Sequence, residues 1–203
     1  MITIPLIKKA SDFDIYHATV PIKYNSWCTT VRIAIAPTAF VRIAYLENVG
    51  LMLYFFAAER KLLAKVNVPD GPVCEDSCME AFLDLAPETG KGYINVEVNP
   101  IANMYLAFGK DRYDRRFIRP MRLPDIHPKT TITESSWTLE YTIPEELIFA
   151  LYGKKLGAGD VFCGNFYICA DGKEAPYYGS AAPITAPEPD FHRPEFFREF
   201  IIK

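Results

Sequence analysis

Cys74-Glu75-Asp76-Ser77-Cys78-Met79-Glu80-Ala81-Phe82-Leu83-Asp84, followed after a short turn by Tyr93-Ile94-Asn95-Val96-Glu97-Val98-Asn99-Pro100, decides the fold. Met79, Ala81, Leu83 and Leu85 alternate with Cys78, Glu80, Phe82 and Asp84. In the second run Ile94, Val96 and Val98 alternate with Tyr93, Asn95, Glu97 and Asn99. A period of two marks strands that bury one face. Apolar must meet apolar, and a slip of one residue would turn every side chain over. The expected hairpin therefore gathers Glu80, Asp84, Tyr93, Asn95, Glu97 and Asn99 on the other face, and a turn from Leu85 to Gly92 sets Glu80 opposite Glu97. Like charges across a ladder are destabilising. A cation, an arginine or a ligand must compensate them, or they splay into water.

Outward from this hairpin the chain reads as strands nearly throughout. Runs at 31–35, 40–45 and 51–56 are rich in β-branched and aromatic residues, with Asn48-Val49-Gly50 as a turn. Further strands are expected at 104–108, 130–134, 137–143, 161–169 and 195–202. Pro144-Glu145-Glu146 opens the one convincing helix and Gly153 stops it, since proline and acidic residues suit a first turn. The expectation is an all-β chain, a single antiparallel β-sandwich of the immunoglobulin or jelly-roll kind with one short helix, forming one domain over residues 1–203. Half of the 203 residues are hydrophobic, enough for a large core.

Composition narrows the partners. A net charge of −3 argues against nucleic acid. The longest apolar run, Leu51 to Ala58, is far short of the ~20 residues that cross a bilayer as a helix, so no membrane partner is expected. The opening residues place apolar side chains before the lysines, the reverse of a secretory signal, and the reading is cytoplasmic. Five cysteines, an odd number, Cys28, Cys74, Cys78, Cys163 and Cys169, fit poorly with a disulfide framework. Cys74 and Cys78 lack a second close pair, so a four-ligand zinc site is not expected.

Two loops stand out. Residues 109–123 hold Lys110, Arg112, Arg115, Arg116, Arg119 and Arg122 against Asp111 and Asp114, a basic excess suited to an anion or a row of hydroxyls. Residues 175–194 interleave prolines with Tyr177, Tyr178, Phe191 and His192, which argues for a packed loop.

With these residues in view the chain resembles the carbohydrate-binding module family 9-like domains. The resemblance rests on the 75–83 strand, the 93–100 strand, the 137–144 strand with its following helix, Gly164-Asn165-Phe166-Tyr167, and the ending from Pro189 to Phe197. It implies a non-catalytic β-sandwich that binds sugar chain ends in polysaccharide utilisation, an extracellular role, and calcium in some members. It also implies a pair of tryptophans that clamp the sugar ring. Here Cys74 and Ala181 stand at the positions where those tryptophans are sought, and Glu97 stands where an arginine is sought, so the expectation is a remodelled pocket, one suited to a charged sugar that meets the 112–119 loop.

The residues expected to meet ligand are Glu80, Glu97, Asn99, Arg112 and Asn165, with Tyr177 and Tyr178 as substitute platforms. Calcium is the one cofactor implied. Two other readings stay open. Glu80 and Glu97 could serve as the acid/base pair of a glycoside hydrolase, or the chain could be a degenerate module that mediates protein contacts. A related branch of sandwiches holds haem, but Met52, Met79, Met104 and Met121 read as core packing.

Overall fold

The computed structural model describes residues 1–25, 27–28 and 36–203. Among the described residues fourteen strands follow in order: β1 Ile2–Ile4, β2 Leu6–Ile7, β3 Ala18–Tyr24, β4 Thr38–Leu46, β5 Gly50–Ala58, β6 Cys78–Asp84 and β7 Tyr93–Val98. Then come β8 Met104–Gly109, β9 Arg115–Phe117, β10 Lys129–Ile132, β11 Trp137–Pro144, β12 Val161–Cys169, β13 Tyr178–Ser180 and β14 Arg198–Ile202. The α-helix of the described residues, α1 Glu145–Tyr152, follows β11 directly. The strand expected at 31–35 lies outside the described residues.

The strands run β10-β11-β5-β4-β3 on one side and β13-β12-β6-β7-β8-β9 on the other, joined where β13 pairs with β3. Curling about that seam lays the two halves face to face, the sandwich that the alternation required. Pairing is antiparallel except at two short contacts, β1 with β14 and β2 with β4, which are parallel. The inward residues of both halves, among them Val41, Phe55, Ala81, Val96, Trp137, Leu139 and Phe166, form one continuous core. Met79 and Met104 are fully part of it, which accounts for both by packing.

Helix α1 begins one residue later than the sequence suggested. Pro144 keeps an extended backbone (φ −63°, ψ 143°) as the last residue of β11, and Gly153 closes the helix at φ 77°. A left-handed C′ position of this kind favours glycine. Leu147, Ile148, Leu151 and Tyr152 pack inward. The Tyr152 hydroxyl donates to the carbonyls of Leu83 (3.1 Å) and Gly92 (3.0 Å), tying the helix to the β6–β7 turn.

The hairpin has the register the alternation demanded, with Glu80 facing Glu97 and Met79 facing Val98. Its outer face, however, is not open to water, and every residue of β7 is buried. The segment after β13 folds back over that face. Ile184, Ala186, Phe191, Phe196 and Phe197 pack on Phe82, Tyr93 and Tyr167 to make a second, smaller apolar cluster. Phe191 stacks on Tyr167 with centroids 4.3 Å apart and planes 12° from parallel, and the Tyr167 hydroxyl donates to the Phe191 carbonyl. Expected as a packed loop, residues 175–194 also contribute strand β13, which pairs with the second half of β12 while β14 pairs with the first.

Candidate functional site

Where the covering segment stops short of β8, a cleft of about 330 Å³ reaches down to β6 and β7. Glu80 and Glu97 lie at its floor with Cys169 of β12. Phe82, Tyr105, Tyr178, Phe191 and His192 supply aromatic walls, and Arg112, Arg115, Asp171 and Asp190 supply charge at the sides. The strands position this set by the same parity that built the core. Residues two apart on β6 (Cys78, Glu80, Phe82) and on β7 (Tyr93, Asn95, Glu97) share the outer face.

A chain of hydrogen bonds crosses the floor. The Asn95 amide donates to Glu97 Oε1 (3.0 Å), and Arg115 donates to Asn95 Oδ1. Arg115 Nη1 also lies 3.2 Å from His192 Nε2, and His192 Nδ1 lies 2.8 Å from the Tyr93 hydroxyl. Arginine has no lone pair, so Nε2 is the acceptor and the ring proton sits on Nδ1. Burial first, and then the charges of Arg115 and Arg112, push the His192 imidazole down to about 3, leaving it neutral. Arg115 also lies over the Tyr105 ring, 5.0 Å from its centroid.

The two glutamates are treated differently by their surroundings. Glu80 is 2% exposed and accepts from the Cys169 thiol at 3.0 Å. Burial, reinforced by the charge of Glu97, lifts its carboxyl well above the usual range. Burial also raises Glu97, but the Asn95 amide and the Arg115 charge oppose the rise. Neither carboxylate forms an ion pair among the described residues. At the rim Arg112 pairs loosely with Asp190 at 3.6 Å, and about half of its side chain is exposed. Asp171 is raised by burial, against the Tyr178 hydroxyl bonded to it.

Of the residues singled out from sequence, Glu80, Glu97, Arg112 and Tyr178 converge on this cleft. Asn99, Asn165 and Tyr177 lie elsewhere, with their polar groups spent inside the protein. Asn99 is fully buried past the end of β7, donating to the Val66 carbonyl and to Asp76 and accepting from the Asn103 amide. Asn165 exchanges two hydrogen bonds with Ala182, fixing the start of the covering segment. Tyr177, just before β13, turns away from the cleft and donates to buried Glu59 at 2.8 Å. Only Arg112 and Arg115 of the basic loop reach the cleft, while Arg119 pairs with Asp70 and Asp125. Arg115, Phe191 and His192 carried a signal, since they lay in the two loops marked by composition. Cys169 and Asp171 carried none, because only the pairing of β12 with β6 brings them there.

Calcium takes about six to eight oxygen ligands. The cluster of metal-ligating side chains found among the described residues, Cys78, Glu80 and Cys169, offers two sulfurs and one carboxylate. Asp76 is engaged by the amides of Lys65 and Val66 and by Asn99. Neither site suits calcium.

A larger groove of about 930 Å³ lies over Phe56, Leu62, Leu63 and Tyr177. Its buried acid, Glu59, is satisfied by Lys173, Ser77, Trp137 and Tyr177, which leaves little chemistry directed at a ligand.

The carbohydrate-binding family 9 profile matches residues 17–202. The chain belongs to carbohydrate-binding family 9. No curated protein matches it. Among solved structures, it is similar to a Bacteroides uniformis protein provisionally described as carbohydrate-binding, with 20% identity, a TM-score of 0.80, and coverage of 100% of this chain and 98% of that one. It is also similar to a family 9 module from Caldicellulosiruptor kristjanssonii in complex with cellotriose, with 14% identity, TM-score 0.70, and coverage of 100% and 93%. The glucose complex of a family 9 module from the same organism gives 13% identity, TM-score 0.63, and coverage of 99% and 95%. These likenesses show a shared sandwich. No helix among the described residues is long and apolar enough to cross a membrane.

Proposed function

We propose that this family 9 chain acts as a single non-catalytic domain that binds a saccharide chain end in the cleft between Tyr178, Tyr105 and Phe191, with Glu80 and Glu97 at its floor. The observation that carries this reading is the convergence of aromatic walls with carboxyl and guanidinium groups in one cleft. Sugar C–H faces stack on aromatic rings, and sugar hydroxyls need fixed donors and acceptors. At about 330 Å³ the cleft lies at the small end of the ~300–1,000 Å³ range of small-molecule sites, which favours a chain end over a long internal stretch. Glucose and cellotriose complexes of similar modules support the ligand class.

The pocket is remodelled in this reading. Cys74 lines the cleft where a clamping tryptophan was sought, and Tyr178 with Phe191 takes over the wall. Trp27 packs behind both, 6.2 Å from each ring. A sugar carrying a carboxylate is favoured by Arg112 at the rim, whose guanidinium is only loosely held by Asp190. Such a domain would serve polysaccharide breakdown outside the cell, as its family does.

Isothermal titration against neutral and uronic oligosaccharides tests the proposal. Saturable heat is expected, lost in Tyr178→Ala, with Arg112→Ala weakening uronic ligands more than neutral ones. No heat with either class up to millimolar sugar would overturn it.

A further inference from the structure

Cys78 of β6 sits directly opposite Cys169 of β12, and Glu80 lies two residues from Cys78 on the same face. One ligand atom from each of the three falls within 4.8 Å of the others. All three are buried, yet Cys169 and Glu80 line the cleft floor. We propose that Cys78, Glu80 and Cys169 form a binding site for a thiolate-preferring divalent cation of the zinc class, with the remaining coordination position open to the cleft.

Four observations support the site. The thiols are free, and the Cys78 sulfur makes only a long contact, 4.0 Å, to the Met79 carbonyl. Zinc holds sulfur at ~2.3 Å and carboxylate oxygen at ~2.0–2.2 Å, so tetrahedral ligands stand roughly 3.5–3.8 Å apart. The three ligand atoms already lie within 4.8 Å of one another, and small side-chain rotations, which widen the 3.0 Å separation of the Cys169 sulfur and Glu80 Oε1, bring the set to this spacing. Next, Glu80 and Glu97 face each other without a paired cation among the described residues, and a metal–oxygen bond gives the buried Glu80 carboxylate a partner. Finally, Val73, Val66, Tyr105, Tyr178 and Phe191 surround the two sulfurs and give the site an apolar shell.

Binding releases the two thiol protons to solvent as two metal–sulfur bonds form. The Glu80 carboxyl, where protonated, also gives up its proton as the metal–oxygen bond forms, so two or three protons leave for the one +2 ion. Two sulfurs with one oxygen select zinc-like over calcium-like ions. The site was invisible in the sequence because the second sulfur comes from a strand far along the chain.

Cobalt(II) titration of the reduced full chain tests the assignment, read by the thiolate-to-cobalt band in the near ultraviolet and by visible bands of tetrahedral coordination. One equivalent is expected, displaced by zinc. Cys169→Ser and Cys78→Ser should abolish the sulfur band, while Glu80→Gln should weaken cobalt binding by about tenfold or more. Cys28→Ser and Cys163→Ser should leave it unchanged. Circular dichroism of each variant separates loss of the site from loss of the fold, and zinc should raise the melting temperature of the parent but not of Cys169→Ser. Absence of the sulfur band in the folded parent, or its persistence in Cys169→Ser, would overturn the proposal. The site stands apart from the sugar reading, since cobalt spectra and saccharide heats can each fail while the other succeeds.

Discussion

Changing His192 to glutamine should remove an acid sensitivity built into the cleft wall. In the native protein the imidazole receives Arg115 on Nε2 and faces the Tyr93 hydroxyl through Nδ1. A second proton would have to sit on Nε2 against the guanidinium, and burial opposes the charge further, which is why the group lies near 3. Its ordinary value is 6.5. The folded value is below the unfolded one, so as pH falls through 6.5 the unfolded chain takes up a proton that the native chain refuses. The contribution is complete above pH 6.5 and is lost progressively towards pH 3. At pH 5 the loss amounts to at most about 2 kcal/mol, at ~1.36 kcal/mol per unit. Glutamine keeps an acceptor for Arg115 and a donor for Tyr93 without titrating. Urea unfolding of both proteins at pH 8 and pH 5 gives the double difference. The raised carboxyls of Glu80, Glu97, Asp84 and Asp171 act in the opposite direction, but they are common to both chains and cancel. The native protein should lose up to about 2 kcal/mol more than the variant on acidification. A double difference under ~0.5 kcal/mol, within the error of additivity, would refute the argument.

Three further outcomes follow from buried polar hubs and one tight glycine. Glu59→Ala leaves Ser77, Trp137, Tyr177 and Lys173 facing an emptied, buried site and should cost about 3–5 kcal/mol in chemical denaturation. Asp76→Ala removes the acceptor for the Lys65 and Val66 amides and for Asn99, and should cost about 3 kcal/mol, with faster hydrogen exchange at those two amides. Gly92→Ala should lower stability by more than about 2 kcal/mol in thermal unfolding, because a Cβ there would lie 2.1 Å from the Gly109 carbonyl oxygen at a φ of +102°.

The hairpin register was legible because the period of two, the short turn and the two apolar faces admit few pairings. The expected strands at 137–143 and 161–169 reappear as β11 and β12 for the same reason. What pairs with β12 was not legible. Its partnership with β6 joins residues 79 to 91 positions apart, and no local pattern encodes it. Tyr177 and Tyr178 show the limit at single-residue scale. Both sit in the same Pro-rich segment, yet the short β13 sends one towards Glu59 and the other to the cleft. Asn99 reads as a turn former beside a polar strand, and only the nearby Asp76 and Val66 reveal that its amide is committed. That a segment covers much of the hairpin's polar side was not legible, because the aromatic residues that cover it are spaced irregularly among prolines.

The outer apolar cluster of Phe82, Tyr93, Tyr167, Ile184 and Ala186 has an evolutionary corollary. Because it anchors the covering segment independently of the sandwich interior, residues at the cleft mouth can be exchanged without disturbing the main core. Selection can thus retune specificity while leaving the scaffold's folding free energy nearly untouched.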